Sequence, residues 1–282
     1  MNSKVRFPFR FLVITFIWSW VVWTPLVLNS YKIIHISDKY LSIVLYTLTI
    51  LGAFGPLVGA LFALKHDQYK GSIKKFLKTF LDFRLGWKAY IFPILMLGCS
   101  TFIAWLLPEF FGENRLPMLL PSVWVFIPYL LIMIFLGGGQ EEFGWRGYAL
   151  PILESKYGIV VANFILGSLW ACWHLPLWFI TGTSQTYMNF GGFILLTLGY
   201  SLIFSWVREI SGYKPFSGLY IHGLVNAFIP LMPTLIMQKD VPQPRFWIWT
   251  IITFLIGILV TLLRKKNPAI LTGTIHKAVV KK

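Results

Sequence analysis

The chain has 282 residues, of which 57% are hydrophobic, 18% aromatic and only 12% charged, with a mean hydropathy of +0.70. This composition excludes an ordinary soluble domain and indicates a polytopic membrane protein. The net charge of +15 comes from Lys and Arg residues that cluster between apolar stretches. We therefore expect anionic lipid headgroups, and no nucleic acid, as the partner of these charges.

Eight apolar segments approach the roughly 20 residues that a helix needs to cross ~30 Å of hydrocarbon. They are Phe11 to Leu28, Leu41 to Leu64, Ala89 to Leu107, Ser122 to Gly138, Ile159 to Phe179, Gly191 to Val207, Gly218 to Ile236, and Phe246 to Leu263. Backbone groups in lipid must form hydrogen bonds internally, so helices are expected for runs this long. The sequence predicts an all-α fold, a polytopic transmembrane helix bundle with about eight spans, as a single integral membrane domain over residues 1–282.

The orientation of the bundle follows from its positive charges. Met1 to Leu28 has a basic start and no small-residue cleavage site, so we interpret it as a retained first span and not as a signal peptide. Placing both termini in the cytoplasm puts 20 of the 25 Lys and Arg residues on that side. The basic tail 264–282 is then a cytoplasmic segment that binds headgroups.

The basic loop at residues 70–88 shows a helical pattern. Ile73, Phe76, Leu77, Phe80 and Leu81 recur at helical spacing, opposite three lysines at positions 74, 75 and 78. This pattern predicts an amphipathic helix on the cytoplasmic leaflet, in preference to a recruiting site for another protein.

Two carboxylates and a guanidinium follow the fourth apolar segment, in Glu141-Glu142-Phe-Gly-Trp-Arg146. Ionisable groups at or inside a membrane are costly and usually functional. If the helix continues, Glu142 and Arg146 share a face and can form a charge-assisted bond. Glu141 then points about 100° away from Glu142 around the helix axis. A carboxylate in a poorly hydrated pocket is a competent proton acceptor near neutral pH, so Glu141 is the candidate base.

Two later apolar segments contain polar residues at helical spacing. His174 follows Trp170 by one turn, and Pro176 loosens the backbone beside it. An imidazole near a carboxylate can orient water or bind a metal. His222 and Asn226 are four positions apart and share a face, where they can donate to an oxyanion.

Each motif also has a purely structural interpretation: a snorkelling ion pair, a histidine in an aromatic belt, or a hydrogen bond between helices. All three motifs occur one after another along the chain, each inside or next to an apolar segment, and this favours one buried polar site. The predicted depths disagree, because Glu141 follows the cytoplasmic end of one span and His174 lies toward the outer half of the next. Two explanations remain open: a longer, tilted fourth helix that includes Glu141, or partial embedding of the segment Tyr148 to Gly158.

These residues resemble the CAAX prenyl protease and bacteriocin-processing family of intramembrane endopeptidases, called CPBP or Abi. The family has Glu-Glu-x-x-x-Arg, Phe-x-x-x-His and His-x-x-x-Asn on successive transmembrane helices. The corresponding pairs here are Glu141-Glu142 with Arg146, Trp170 with His174, and His222 with Asn226, within a core at about 126–233. The chain departs from the family by having Trp170 where the family has phenylalanine, which we expect to alter pocket shape more than reaction type.

The resemblance implies hydrolysis of a peptide bond near the membrane, in a membrane-associated peptide or protein substrate. It assigns water activation to Glu141 and His174, oxyanion stabilisation to His222 and Asn226, and ordering of the site to Glu142 and Arg146. It leaves open a glutamate-driven reaction or one assisted by a divalent metal such as zinc, held by Glu141, His174 and His222. It places the protein in a bacterial plasma membrane. The alternatives are a non-enzymatic role in bacteriocin self-immunity or scaffolding and, with less support, a proton-coupled transporter.

Overall fold

A computed structural model describes residues 6–66 and 72–264 of the chain. Twelve α-helices occur there: α1 Phe9–Ser30, α2 Asp38–Ala53, α3 Gly55–His66, α4 Ile73–Thr79, α5 Trp87–Leu106, α6 Phe126–Phe135, α7 Glu142–Gly144, α8 Leu150–Tyr157, α9 Ile159–Trp173, α10 Phe190–Ile210, α11 Phe216–Leu231 and α12 Pro244–Leu262. The described residues contain no β-strand. The predicted all-α helix bundle is confirmed.

Seven helical segments among the described residues are long and apolar enough to cross a membrane. Helix α11 is also apolar but shorter, and it lies where the sequence predicts the seventh span. The predicted fourth span is too short: it ends at Gly138, whereas the helical segment runs over Val123–Tyr157. The glycine run at 137–139 interrupts the helix but does not end it. Glu141 lies near the middle of this helical segment, which is compatible with both explanations for the depth mismatch.

The second span breaks between α2 and α3, beside Pro56. Proline has no N–H, so Gly52 four residues earlier lacks its helical donor. The Ser19 hydroxyl of α1 donates to that Gly52 carbonyl over 2.7 Å. The indole N–H groups of Trp18 and Trp23 donate to the nearby carbonyls of residues 51 and 49. Helix α1 therefore supplies additional hydrogen bonds to backbone carbonyls at the break in the second span.

Helix α11 lies at the centre of the bundle and packs against α5, α6 and α10. Every residue from Phe216 to Val225 is buried. Glycines allow this close approach: a Cβ at Gly223 would lie 2.5 Å from Cγ1 of Ile134, and a Cβ at Gly218 would lie 3.2 Å from Cβ of Glu142. Small residues at helix contacts are typical of membrane bundles.

Helix α4 forms part of the predicted amphipathic segment. Phe76 and Phe80 are fully buried, and Phe80 stacks on Phe143 with ring centroids 4.1 Å apart. Ile73 and Leu81 stay exposed. Part of the apolar face therefore packs on the protein next to the Glu141–Arg146 motif, and contact of the remainder with lipid stays a prediction. Lys70 and the tail 265–282 lie outside the described residues.

Candidate active site

The interruption in the fourth span begins at a glycine with an unusual backbone conformation. Gly138 has φ +123°, a value that L side chains rarely adopt. Its N–H donates to Oε1 of Gln140 over 2.8 Å. The preceding carbonyl, of Gly137, accepts from the side-chain amide of Asn226. A Cβ at position 138 would lie 2.5 Å from both His222 Nε2 and Asn226 Nδ2, so only glycine lets the backbone pass so close to these side chains.

Beyond this interruption the chain returns to helix and buries its charged residues. A 3-10 turn over Gly139–Glu141 leads into α7, which is followed by a π-helical turn over Trp145–Ala149. Such π turns are frequent at functional sites. Glu141, Glu142 and Arg146 are all buried.

Glu142 is the anion of a three-residue network. Its Oε1 accepts from Arg146 over 2.8 Å, as the four-residue spacing predicts, and lies 2.9 Å from Nδ1 of His222. Since Glu142 is paired with a guanidinium, its carboxylate is the acceptor and Nδ1 of His222 carries the hydrogen. Nε2 of His222 is left for another partner beside Gly138.

Arg146 contacts two aromatic rings. Its guanidinium carbon lies 4.6 Å from the ring centroid of Trp170 and 4.7 Å from that of Phe204. Cation–π contacts of this kind are strongest where water is excluded. These contacts help to hold the guanidinium at the position from which it donates to Glu142.

Glu141 faces a different partner from Glu142. The indole Nε1–H of Trp170 donates to its Oε2 over 3.0 Å. Oε1 is left for a water molecule or a substrate. The two adjacent carboxylates thus have separate partners, as expected from their angular separation.

His174 is oriented by the end of α9. Its backbone N–H bonds to Ala171, three residues back, which leaves the carbonyl of Trp170 without its helical donor. Nδ1 of His174 lies 2.8 Å from that carbonyl. A carbonyl only accepts, so Nδ1 carries the hydrogen and Nε2 is a free acceptor. The ring is half-buried, whereas Glu142 is fully enclosed.

Trp170 connects the predicted site residues to one another. Its ring centroid lies 5.3 Å from that of His222 and 5.8 Å from that of His174. The structure brings together the residues of all three motifs: Glu141, Glu142, Arg146, Trp170, His174, His222 and Asn226.

Sequence reasoning misses three contributors to the site. It predicts Gly138 only as the end of a span, although the run of three glycines is a visible signal of an irregular backbone. It expects Trp170 to change pocket shape, but the N–H of this residue also bonds Glu141. Phe204 has no motif around it, and only the fold reveals its contact with Arg146.

The side chains of the described residues do not form a metal site. They contain no group of three His, Cys, Asp or Glu side chains placed to hold one ion. Glu141, His174 and His222 surround Trp170 but do not converge on one point, so they do not fit the tetrahedral zinc site that three protein ligands would form.

Several buried polar atoms in and beside the site have no hydrogen-bond partner among the described residues. They are Nε2 of Gln140, Oε2 of Glu142, and Nε and the second terminal nitrogen of Arg146. Leaving such groups unsatisfied costs about 1–3 kcal/mol each, so a cluster of them is unusual. It indicates that water or a ligand belongs here.

Comparisons with known proteins cover this part of the chain. Residues 122–228 match the family described as Type II CAAX prenyl endopeptidase Rce1-like. The chain is similar to CAAX prenyl protease 2 of Methanococcus maripaludis, with 32% identity over 108 residues. That similarity covers 36% of this chain and 39% of the relative. The family match includes all seven residues that the structure gathers around Trp170.

Proposed function

We infer that this chain is an intramembrane endopeptidase, because its predicted resemblance to the CAAX prenyl protease family is confirmed over residues 122–228. The observation that supports the activity best is the separation of the two adjacent carboxylates. Glu142 is neutralised by Arg146, whereas Glu141 accepts only a neutral indole N–H. One carboxylate is therefore structural, and the other is available for proton transfer.

In the proposed reaction, Glu141 takes a proton from a water molecule whose oxygen attacks the carbonyl carbon of the scissile peptide bond. The free Nε2 of His174 accepts the second hydrogen of that water and orients it. The tetrahedral intermediate collapses when the C–N bond breaks. The proton held by Glu141 passes to the departing amine, which returns the carboxylate to its starting state.

The oxyanion of the intermediate needs donors, and His222 with Asn226 is the proposed pair. Asn226 uses one N–H on the Gly137 carbonyl and keeps a second. His222 donates through Nδ1 to Glu142, so a donation from Nε2 requires a proton on both ring nitrogens. The Glu142 carboxylate, which Arg146 holds in place, accepts from Nδ1 and orients the ring, which gives Glu142 and Arg146 their ordering role.

For the substrate, we propose a lipid-modified peptide cleaved close to its anchor. The name of the Methanococcus maripaludis relative, CAAX prenyl protease 2, supports this class. The half-buried positions of His174 and Asn226, on a site otherwise enclosed by helices, fit a substrate that enters from the membrane. A bacterial plasma membrane with both termini cytoplasmic remains the proposed location.

A cleavage assay tests this function. Purified protein in lipid nanodiscs is given a farnesylated peptide ending in a CAAX sequence, and the same peptide without the lipid. We expect cleavage of the farnesylated peptide, with loss of turnover in Glu141→Ala, His174→Ala and His222→Ala. Full turnover in all three variants would reject the proposal. Activity should persist with a chelator, because the donors do not converge on a metal.

A non-enzymatic role in bacteriocin immunity or scaffolding is the competing proposal. It predicts that the same alanine variants still protect cells against a bacteriocin.

A further inference from the structure

Trp170 contacts the site through three different parts of the residue. Its indole N–H bonds Glu141, its ring face lies on the guanidinium of Arg146, and its backbone carbonyl accepts from His174. It is also nearly fully buried, with 3% of its surface exposed. Filling space does not require the hydrogen bond between the one polar atom of this side chain and the proposed base Glu141.

We propose that Trp170 is a positioning residue that sets the orientation of the Glu141 carboxylate through its indole N–H. This inference rests on the proposed function and adds to it a determinant outside the water-activating pair. Trp170 does not touch the reacting atoms; it acts through Glu141.

A glutamate side chain has considerable conformational freedom. Three torsions determine where its oxygens lie, and neither Arg146 nor His222 is hydrogen-bonded to Glu141 in the described structure. The bond from Trp170 to Oε2 fixes the carboxylate plane and leaves Oε1 for water. A misplaced base loses much of its effect, because proton transfer needs hydrogen-bond distance in the substrate complex.

Phenylalanine separates this role from packing. It retains an aromatic face for Arg146 and an edge for His222, but it has no N–H. The backbone carbonyl that holds His174 is unchanged. Trp170→Phe therefore removes the hydrogen bond to Glu141 but keeps the aromatic contacts with Arg146 and His222.

The chain offers a matched control three residues later on the same helix. Trp173 is also fully buried and its ring lies 4.6 Å from that of His174. Its Nε1, however, has no hydrogen-bond partner among the described residues. Trp173→Phe loses the same atoms at a similar depth without losing a hydrogen bond.

The experiment compares both variants in the nanodisc assay with the farnesylated peptide. We expect Trp170→Phe to lower kcat about ten- to a hundredfold, as for the loss of a hydrogen bond to a charged group. KM should stay within about twofold, because the bond acts on the base and not on ground-state binding. Trp173→Phe should keep kcat within about threefold of wild type, because this variant loses no hydrogen bond to the base. An unchanged kcat in Trp170→Phe, or an equal loss in both variants, would overturn the proposal.

A second measurement does not depend on activity. Thermal unfolding in detergent is followed for wild type, Trp170→Phe, Glu141→Leu and the double variant. Trp170→Phe should lower the Tm of wild type more than it lowers the Tm of Glu141→Leu, because the acceptor is absent in the latter. Equal shifts would contradict the inference. If wild type is inactive but Trp170→Phe lowers its Tm more than that of Glu141→Leu, only the proposed function is rejected. If wild type is active but the two Tm shifts are equal, only the role of Trp170 is rejected.

Discussion

Nδ1 of His222 lies 2.9 Å from Oε1 of Glu142, and the two residues are 80 positions apart in the chain. This bond joins the interrupted fourth span to the central helix α11. Both side chains are buried, and Arg146 supplies the opposite charge. Breaking a buried charged pair by removing one partner is strongly destabilising, whereas an intact pair adds little to stability. The pair therefore fixes the position of α11 relative to the fourth span.

The adjacent carboxylates should respond differently to amide substitution. Glu142→Gln leaves Arg146 and His222 without their anion, so we expect a loss of about 3–5 kcal/mol in the free energy of unfolding. Glu141→Gln should leave stability nearly unchanged and lower kcat about 10²–10⁴-fold, the contribution of a general base. Thermal unfolding and turnover, measured side by side, check both expectations. A Glu142→Gln protein as stable as wild type would contradict the network described for Glu142.

Gly138 should not tolerate a side chain. In Gly138→Ala the new Cβ would lie 2.5 Å from His222 Nε2 and Asn226 Nδ2, and the φ of +123° would be strained. The residues that must shift are the proposed oxyanion donors, so we expect kcat to fall at least tenfold. Gly158→Ala is a matched control, because that glycine also has positive φ but no atom within 4 Å of a Cβ. Equal activity of the two variants would argue against the close approach at Gly138.

Arg146→Lys tests the stacking of the guanidinium. Lysine keeps the charge but loses the planar group that contacts the rings of Trp170 and Phe204. We expect lower stability and lower turnover than in wild type, with a smaller loss than in Arg146→Ala. Circular dichroism melts and the cleavage assay give the order of the three proteins. If the Lys variant matched wild type in both, the aromatic contacts would have no role.

Phe80 should be needed for the stability of the motif that it packs on. Phe80→Ala removes a fully buried ring stacked on Phe143 and should cost about 3–5 kcal/mol. Leu81→Ala is the control, because Leu81 is 60% exposed and should change stability by less than about 0.5 kcal/mol in detergent. Chemical denaturation of the two variants measures the difference. Similar losses of stability in the two variants would mean that Phe80 does not pack against the core.

Asp82 gives a pH dependence outside the membrane spans. The hydrogen bond from the Arg84 side chain lowers the pKa of Asp82 to about 2 from its usual 3.8. Because the folded-state pKa is lower than the unfolded one, this contribution is present above pH 3.8 and is lost as the pH falls toward 2. Between those values, Asp82→Asn should lose less Tm on acidification than wild type. Parallel pH profiles of Tm for the two proteins would contradict this assignment.

The fold is largely predictable from the sequence because lipid imposes strong constraints. Apolar length identifies the spans, and the four-residue spacing of Glu142 and Arg146 predicts the ion pair that they form. The predicted end of the fourth span is wrong, because a glycine run signals an irregular backbone but not whether a helix resumes beyond it. The resumed helix includes the π turn that buries Arg146.

Part of the site could not be predicted because it depends on contacts between distant elements. The bond from His222 to Glu142 and the placement of Phe204 against Arg146 arise only when α10 and α11 pack on the fourth span. The hydrogen bond of Trp170 required the direction of an indole ring, which residue spacing along a helix does not give. Spacing identifies residues on one face; packing determines which atoms meet.

The account depends most on Glu141 transferring a proton from water to the products of a hydrolysis. The direct measurement is cleavage of the farnesylated CAAX peptide in ¹⁸O-labelled water, with mass spectrometry of the new carboxyl terminus. Wild type should incorporate ¹⁸O at the new terminus, and Glu141→Gln, folded with an unchanged Tm, should form almost no product. Product formation by Glu141→Gln at the wild-type rate would contradict the account.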